Sequence, residues 1–259
     1  MPRYFIRLSY KGTRYHGWQY QNNALTVQEV VNNALSLLLR KTIAVTGAGR
    51  TDTGVHALDF YAHFDDNQCY DKVFLEQIVF RLNSFLPNDV SVKEIFPVQP
   101  GAHARFSAIS RTYKYYISTC KNPFRKEFSY YLYGKINVPL MNRGSEMLMG
   151  KHDFSSFSKA DTDVTTNICS ISFATWTTED AELVFTITAD RFLRNMVRAI
   201  VGTLLELGTG KITLEDFKQI FERRNRSNAG ESVPACGLWL HHIEYPADIN
   251  LFTHPNPSL

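Results

Sequence analysis

The sequence lacks any CxxC or CxxxC pair, which removes zinc-ribbon and dithiol redox chemistry from consideration. Its four cysteines, Cys69, Cys120, Cys169 and Cys236, stand far apart and are expected to be buried, reduced thiols of a cytoplasmic protein. No stretch is long and apolar enough to cross a bilayer, and the opening MPRYFIRLSYKG has no apolar core of signal-peptide length. The eight histidines are scattered rather than clustered for a metal. His56 and His63 come nearest to a pair and read as structural or substrate-polar groups. A strong excess of one charge is also missing: a net charge of +3 permits a polyanionic partner without demanding one. What is present is ordinary for a globular chain, 44% hydrophobic and 20% charged over 259 residues, enough for one large core or two smaller domains.

Hydrophobic periodicity supplies the elements. Arg3 to Tyr10 places Tyr4, Ile6, Leu8 and Tyr10 on one face at period two, the mark of a strand. Thr26 and Glu29 form a capping box that opens a helix to about Arg40, with Val27, Val30, Val31, Ala34, Leu35 and Leu38 on its apolar side. Strands follow over Thr42 to Thr46 and Asp59 to Phe64, then a helix from Lys72 to Phe85 stopped by Pro87, then a strand from Val90 to Val98. The second half repeats this βαββαβ order: a strand at Arg111 to Ile117, a helix at Leu140 to Met149, strands at Ile168 to Thr177 and Glu182 to Thr188, a helix at Arg191 to Leu207, and a strand at Leu238 to Tyr245. An extra helix, Leu214 to Arg224, is inserted with Thr213 as its cap. The expected fold class is α+β: two ferredoxin-like, RRM-like halves with mainly antiparallel sheets. The halves would span 1–103 and 104–246, with 247–259 as a loosely held tail.

Residues 47–58, GAGRTDTGVHAL, raise the functional question. A phosphate loop needs GxxxxGK[ST] or GxGxxG, and here Asp52 stands where the third glycine belongs and would repel a pyrophosphate. Asp52-Thr53-Gly54 is also the tripeptide of aspartic peptidases. Two such carboxylates must share a proton, whereas the chain has one DTG, with Arg50 two residues away to favour the ionised form. Two readings remain open from the residues alone. Asp52 is either a turn residue making an Asx bond among permissive glycines, or a carboxylate held beside an arginine as a covalent nucleophile would be.

Residues 49–57, GRTDTGVHA, resemble the GRTDAGVHA signature of the tRNA pseudouridine synthase A family. Further matches run in the family's order along nearly the whole chain. They are SYKGTRYHGWQYQ at 9–21, TVQ at 26–28, HARFSA at 103–108 followed by RTYKY at 111–115, KHDFSSF at 151–157, FLRNMVRAIVG at 192–202 and PACGL at 234–238. Three departures stand out. Lys11 replaces an Asp, Thr53 replaces an Ala, and Thr166-Asn167-Ile168 stands where the family often has Arg-Thr-Ile, which removes a cation from the RNA contact surface.

The resemblance implies an isomerase that breaks the N1–C1′ bond of a uridine within tRNA and rejoins the uracil through C5, with no cofactor and no metal. It implies an active-site cleft between the two halves and a cytoplasmic homodimer with tRNA bridging its subunits. The substrates would be uridines 38 to 40 of the anticodon stem-loop. Asp52 matches the nucleophile, Arg198 the residue that pairs with it, Tyr113 the site tyrosine that stacks on a flipped base, and Arg50 belongs to the same signature. Read without the resemblance, Arg191, Arg194 and Arg198 form a solvated helix face, and Tyr113 and Tyr115 are two aromatics packed on a strand. Candidates for RNA contact are Arg14, Lys11, Arg105, Arg111, Lys114, Arg191 and Arg194, with His56 and Tyr113 as further substrate-binding residues. The competing functions are a non-catalytic RNA-binding protein on the same halves and, more remotely, a dimeric DTG peptidase.

Overall fold

The computed structural model describes residues 1–159, 165–179 and 182–252, so the part of the expected tail from 253 onward lies outside the described residues. The protein is mixed α/β, with mostly antiparallel strand pairing and five α-helices among the described residues. No helix among these residues is long and apolar enough to cross a membrane. The chain clusters into two compact units, 1–109 with 240–259, and 110–239.

The first unit contains β1 (Arg3–Tyr10), α1 (Val27–Leu39), β2 (Thr46–Gly47), β3 (His56–Asp65), α2 (Lys72–Phe85) and β4 (Val90–Val98). β1 is the central strand, antiparallel to both β3 and β4, with Ile6 opposite Ala62 on one side and Ile95 on the other. The alternating face foreseen in β1 is buried throughout, because α1 and α2 turn Val31, Leu35, Leu75, Ile78 and Leu82 inward. Phe5, which alternation leaves on the opposite face, is equally buried, with its ring edge-on to Tyr245 at 5.3 Å and tilted against Phe96 at 5.9 Å. Both faces of β1 are therefore covered.

The second unit contains β5 (Ser110–Ser118), β6 (Tyr130–Tyr131), α3 (Val138–Glu146), β7 (Gly150–Asp153), β8 (Ile168–Glu179), β9 (Glu182–Ala189), α4 (Met196–Gly208) and α5 (Leu214–Glu222). Its strands run in the order β5-β9-β8-β7, all antiparallel, with the two-residue β6 pairing parallel to β5. α4 is buried along most of its length and packs against α3 and α5. The last strand, β10 (Leu238–Glu244), begins at the end of this unit, and from Leu240 it belongs to the first, where it lies beside β3.

Several boundaries differ from those read in the sequence, each for a local reason. The strand expected at Thr42 to Thr46 shrinks to Thr46–Gly47, because the backbone before it bonds to helix side chains. Ile43 N–H donates to Ser36 Oγ (2.8 Å) and Val45 N–H to Asn32 Oδ1 (2.8 Å). α4 starts at Met196 rather than Arg191, because Asn195 adopts a left-handed conformation (φ 65°) and ends the preceding turn. The units divide at 109/110 rather than 103/104. The HARF segment is tied to the first unit by Ala104 N–H donating to His63 Nδ1 (3.2 Å) and by the Tyr245 hydroxyl donating to Ala104 O. Of the cysteines, Cys169 is buried, and burial pushes its thiol up to about 12. Cys69 and Cys120 are exposed, against expectation.

Candidate active site

In the first unit Asp52 is carried on the loop between β2 and β3, half-buried between a buried Thr51 and an exposed Thr53. The opening segment, 9–21, holds this loop. Gly12 N–H donates to His56 Nδ1 (3.0 Å), Trp18 N–H to Thr51 O (3.4 Å), and Gly54 N–H to Tyr15 O (3.2 Å). The hydroxyls of Tyr10 and Thr51 meet at 3.0 Å in a buried position. Asp52 O accepts the Val55 N–H (3.2 Å), which closes a tight turn that Gly54 completes with φ 80°. At Gly17, φ is 84° and an added Cβ would lie 2.2 Å from Thr51 O, so only glycine lets the two loops approach. The main chain on both sides of Asp52 is thus fixed by a separate segment of the chain.

A further anchor lies behind this segment. Arg14 Nε donates to Asp89 Oδ2 (2.6 Å) and the Tyr15 hydroxyl to Asp89 Oδ1 (2.7 Å). Burial pushes the Asp89 carboxyl up, but these two bonds outweigh it and leave the group below the usual carboxylate range. The Tyr15 phenol is pushed up to about 12, by burial first and then by its bond to Asp89.

In the second unit, Tyr113 sits on β5 opposite Ile187 of β9, half-buried, with its ring edge-on to Phe192 (5.1 Å, 87°). Tyr115, two residues on, is fully buried and donates its hydroxyl to Pro234 O (2.8 Å), so only the former presents part of its ring to solvent. Arg111, on the same strand, donates from Nη1 to Asp190 O (2.7 Å). This draws the 190–195 turn, with Arg191, Phe192 and Arg194, to the Arg111–Tyr113 end of β5. Arg198 lies in the first turn of α4, half-buried, with Nε donating to Val233 O (2.8 Å), a bond that fixes the long side chain along its stem.

A family profile described as tRNA pseudouridine synthase matches residues 145–246. The chain is 53% identical over 252 residues to the tRNA pseudouridine synthase A of Bacteroides thetaiotaomicron, covering 96% of this chain and 93% of that one. It is 50% identical over 250 residues to that of Parabacteroides distasonis (96% and 98%), and 38% identical over 240 residues to that of Acetivibrio thermocellus (92% and 97%). The chain belongs to the tRNA pseudouridine synthase A family. It is therefore an isomerase of the pseudouridine synthase kind.

Within this synthase the residues singled out in the sequence take different positions. Arg50 is exposed, and its guanidinium makes no ion pair among the described residues, so the pairing with Asp52 suggested by sequence proximity is not formed. His56 is fully buried and accepts a hydrogen bond from Gly12; it braces the two loops from inside and presents no surface to a substrate. His63 is not paired with His56. Its ring lies against His103 at 4.5 Å, and its imidazole is pushed down to about 4, chiefly by burial and then by the charges of Arg3 and His103. Arg14 is exposed but committed to Asp89, and Lys114 to Glu179 at 3.5 Å. Arg105 is exposed, its guanidinium 5.3 Å from the centre of the Phe106 ring. Arg194 is exposed, while Arg191 and Lys11 are half-buried. The substituted Asn167 ties its own unit together: its backbone carbonyl accepts the Phe154 N–H (2.9 Å) and its Nδ2 donates to Ser155 Oγ (2.8 Å). Tyr10, Tyr15, Trp18 and Thr51 were not assigned roles from sequence, though their spacing in YKGTRYHGW and GRTD was on view.

Proposed function

We propose that this synthase converts uridine to pseudouridine at positions 38 to 40 of the tRNA anticodon stem-loop, with Asp52 as the nucleophile. The observation that carries the reading is the Asp52 loop, whose backbone is fixed on both sides by hydrogen bonds from the opening segment. A turn residue of no chemical consequence needs no such external bracing. A carboxylate that must meet one carbon atom does, because misplacement by an ångström costs rate steeply.

In the proposed course the target base leaves its stack and lies against Tyr113, whose ring is half-exposed and steadied by Phe192. The Asp52 carboxylate attacks either C6 of the uracil or C1′, the N1–C1′ bond breaks, the base turns, C5 bonds to C1′, and the bond between Asp52 and that carbon breaks to return the free carboxylate. The C5 proton then leaves and N1 gains one, so atoms balance without any cofactor; the Tyr113 hydroxyl is the proposed carrier. Arg198 is the cation assigned to the carboxylate, its guanidinium presented by the Nε–Val233 bond. Arg50, Arg105, Arg111, Arg191 and Arg194 are assigned to RNA phosphates, while Arg14 serves through Asp89. We further infer ferredoxin-like halves, supported in the first unit by the order β1-α1-β2-β3-α2-β4 and by the neighbours β4-β1-β3 with β2 on β3. We also infer a cytoplasmic homodimer.

The test is direct. Unmodified tRNA transcripts incubated with the purified protein are mapped for pseudouridine by carbodiimide-dependent reverse-transcription stops. Stops confined to positions 38 to 40 are expected. Conversion only elsewhere would discard the stem-loop assignment.

A further inference from the structure

Residues 119–135 of the second unit form a loop that the proposed chemistry does not use. It leaves β5 after Ser118 and comes back beside the end of that strand: Tyr130 and Tyr131 pair with Ile117 and Ser118, and Leu132 N–H donates to Ser118 O (3.0 Å). Asn122 Oδ1 accepts the Phe124 N–H (3.0 Å), and Arg125 O accepts the Ser129 N–H (2.9 Å). The Arg125 guanidinium is bonded to Glu182 and lies 5.8 Å from the Tyr116 ring, while Trp239 Nε1 donates to Phe128 O (3.1 Å). The loop is thus pinned at its base and along its length.

What this frame presents outward includes three aromatic rings and three lysines, with a single exposed carboxylate, Glu127, beside Lys126. Phe124 is 87% exposed, Tyr133 86% and Tyr131 45%. Tyr131 and Tyr133 are exposed, while Tyr130 and Leu132 between and before them are half-buried, as extended chain requires. Lys121, Lys126 and Lys135 are exposed, and none forms an ion pair among the described residues. The nearby carboxylates Glu182 and Glu179 are already engaged by Arg125 and Lys114. Free cations beside rings with open faces suit a polyanion that carries flat bases: ammonium groups take phosphates, and the rings take unpaired bases. A protein partner would favour an apolar patch with few lysines, since lysine is depleted from protein interfaces.

We propose that the 119–135 loop is a second RNA-contact surface, gripping tRNA away from the reacting uridine. This rests on the functional reading above and extends it. β5 itself sets the separation: Tyr113 and Ser118 are five positions apart on one strand, about 17 Å at ~3.3 Å per residue. A nucleotide held against Tyr113 does not also cover the loop, so the ligand here is a different part of the same RNA.

The experiment uses two full-length variants, Lys121→Gln/Lys126→Gln/Lys135→Gln and Phe124→Ala/Tyr133→Ala, with melting curves to confirm folding. Binding of an unmodified tRNA transcript is measured across a salt series, alongside single-turnover conversion at saturating tRNA and sedimentation. The lysine variant is expected to lower the slope of log affinity against log salt by about 2. The aromatic variant is expected to weaken binding about tenfold or more. Conversion at saturation and sedimented mass stay unchanged. Unaltered affinity and salt slope in both variants would overturn the proposal, as would a fall in sedimented mass with RNA affinity per protomer retained, which would make the loop a contact between copies. Wild-type conversion in the same assay tests the enzymatic reading separately, since binding to the loop is read whether or not the base is isomerised.

Discussion

Thr51 shows how much the Asp52 loop depends on residues held behind it. Its hydroxyl meets that of Tyr10 in a buried position and its carbonyl accepts from Trp18, so the residue before Asp52 has both its side chain and its backbone fixed. Tyr10→Phe removes one hydroxyl and leaves its partner buried without it, at a cost of about 1–3 kcal/mol in stability. Its turnover is expected to fall while tRNA affinity holds, a split that stopped-flow binding and single-turnover assays resolve. Tyr113→Phe keeps the stacking ring, so binding persists and turnover falls only as far as the hydroxyl carries a proton. The sequence exposed these residues unevenly. Asp52 stood out because a carboxylate among glycines has few uses. Tyr10 and Thr51 did not, because a buried hydroxyl pair between segments some forty positions apart leaves no periodic trace. Arg50 misled for the opposite reason: two residues along a tight turn is close in sequence, yet the side chain points to solvent.

The elements that came through best are those whose signals are local. Thr213 and Asp216 form the full reciprocal capping box of α5, Thr213 Oγ1 accepting from Asp216 N (3.1 Å) and Asp216 Oδ2 from Thr213 N (2.8 Å). Thr213→Ala is expected to lower stability by about 1 kcal/mol, read as a reduced urea midpoint with unchanged slope. α2 and β4 lie where they were expected, because Pro87 separates the two; the structure adds Asp71 as the cap of α2, its side chain accepting from Phe74 N–H. β6 and β7 were not, being too short for alternation to register. The start of α4 was misplaced because nothing in RFLRN warns of a left-handed asparagine. That shift matters for function: it removes Arg191 and Arg194 from the helix and puts them on the turn beside Arg111 and Tyr113.

For the molecule as a whole, the mixed strand-and-helix composition with mostly antiparallel pairing was legible, and the family motifs along the chain were too. The allocation of β10 from Leu240 onward to the first unit was not, since pairing between strands distant in sequence has no local signature. His63 gives the whole fold a pH dependence. Its imidazole titrates near 6.5 when unfolded and at about 4 when folded, so the unfolded chain takes up the proton first as pH falls. Stability from this group is complete above pH ~6.5 and declines toward pH ~4, by up to about 3 kcal/mol. Urea midpoints at pH 7 and pH 4.5 should differ accordingly, and His63→Gln should flatten the difference. Sedimentation at micromolar concentration should show twice the chain mass; a strict monomer that still modifies tRNA would remove the homodimer from the account.

The central claim is that Asp52 attacks. Asp52→Asn preserves size and the turn, since asparagine makes the same Asx bond and tolerates the same backbone angles. Release of tritium from 5-³H-uridine tRNA in a single turnover, with the purified variant at saturating concentration, therefore separates chemistry from architecture. The account predicts no release above background, with tRNA affinity within a few-fold of wild type. Near-normal release would contradict it and return Asp52 to the status of a turn residue.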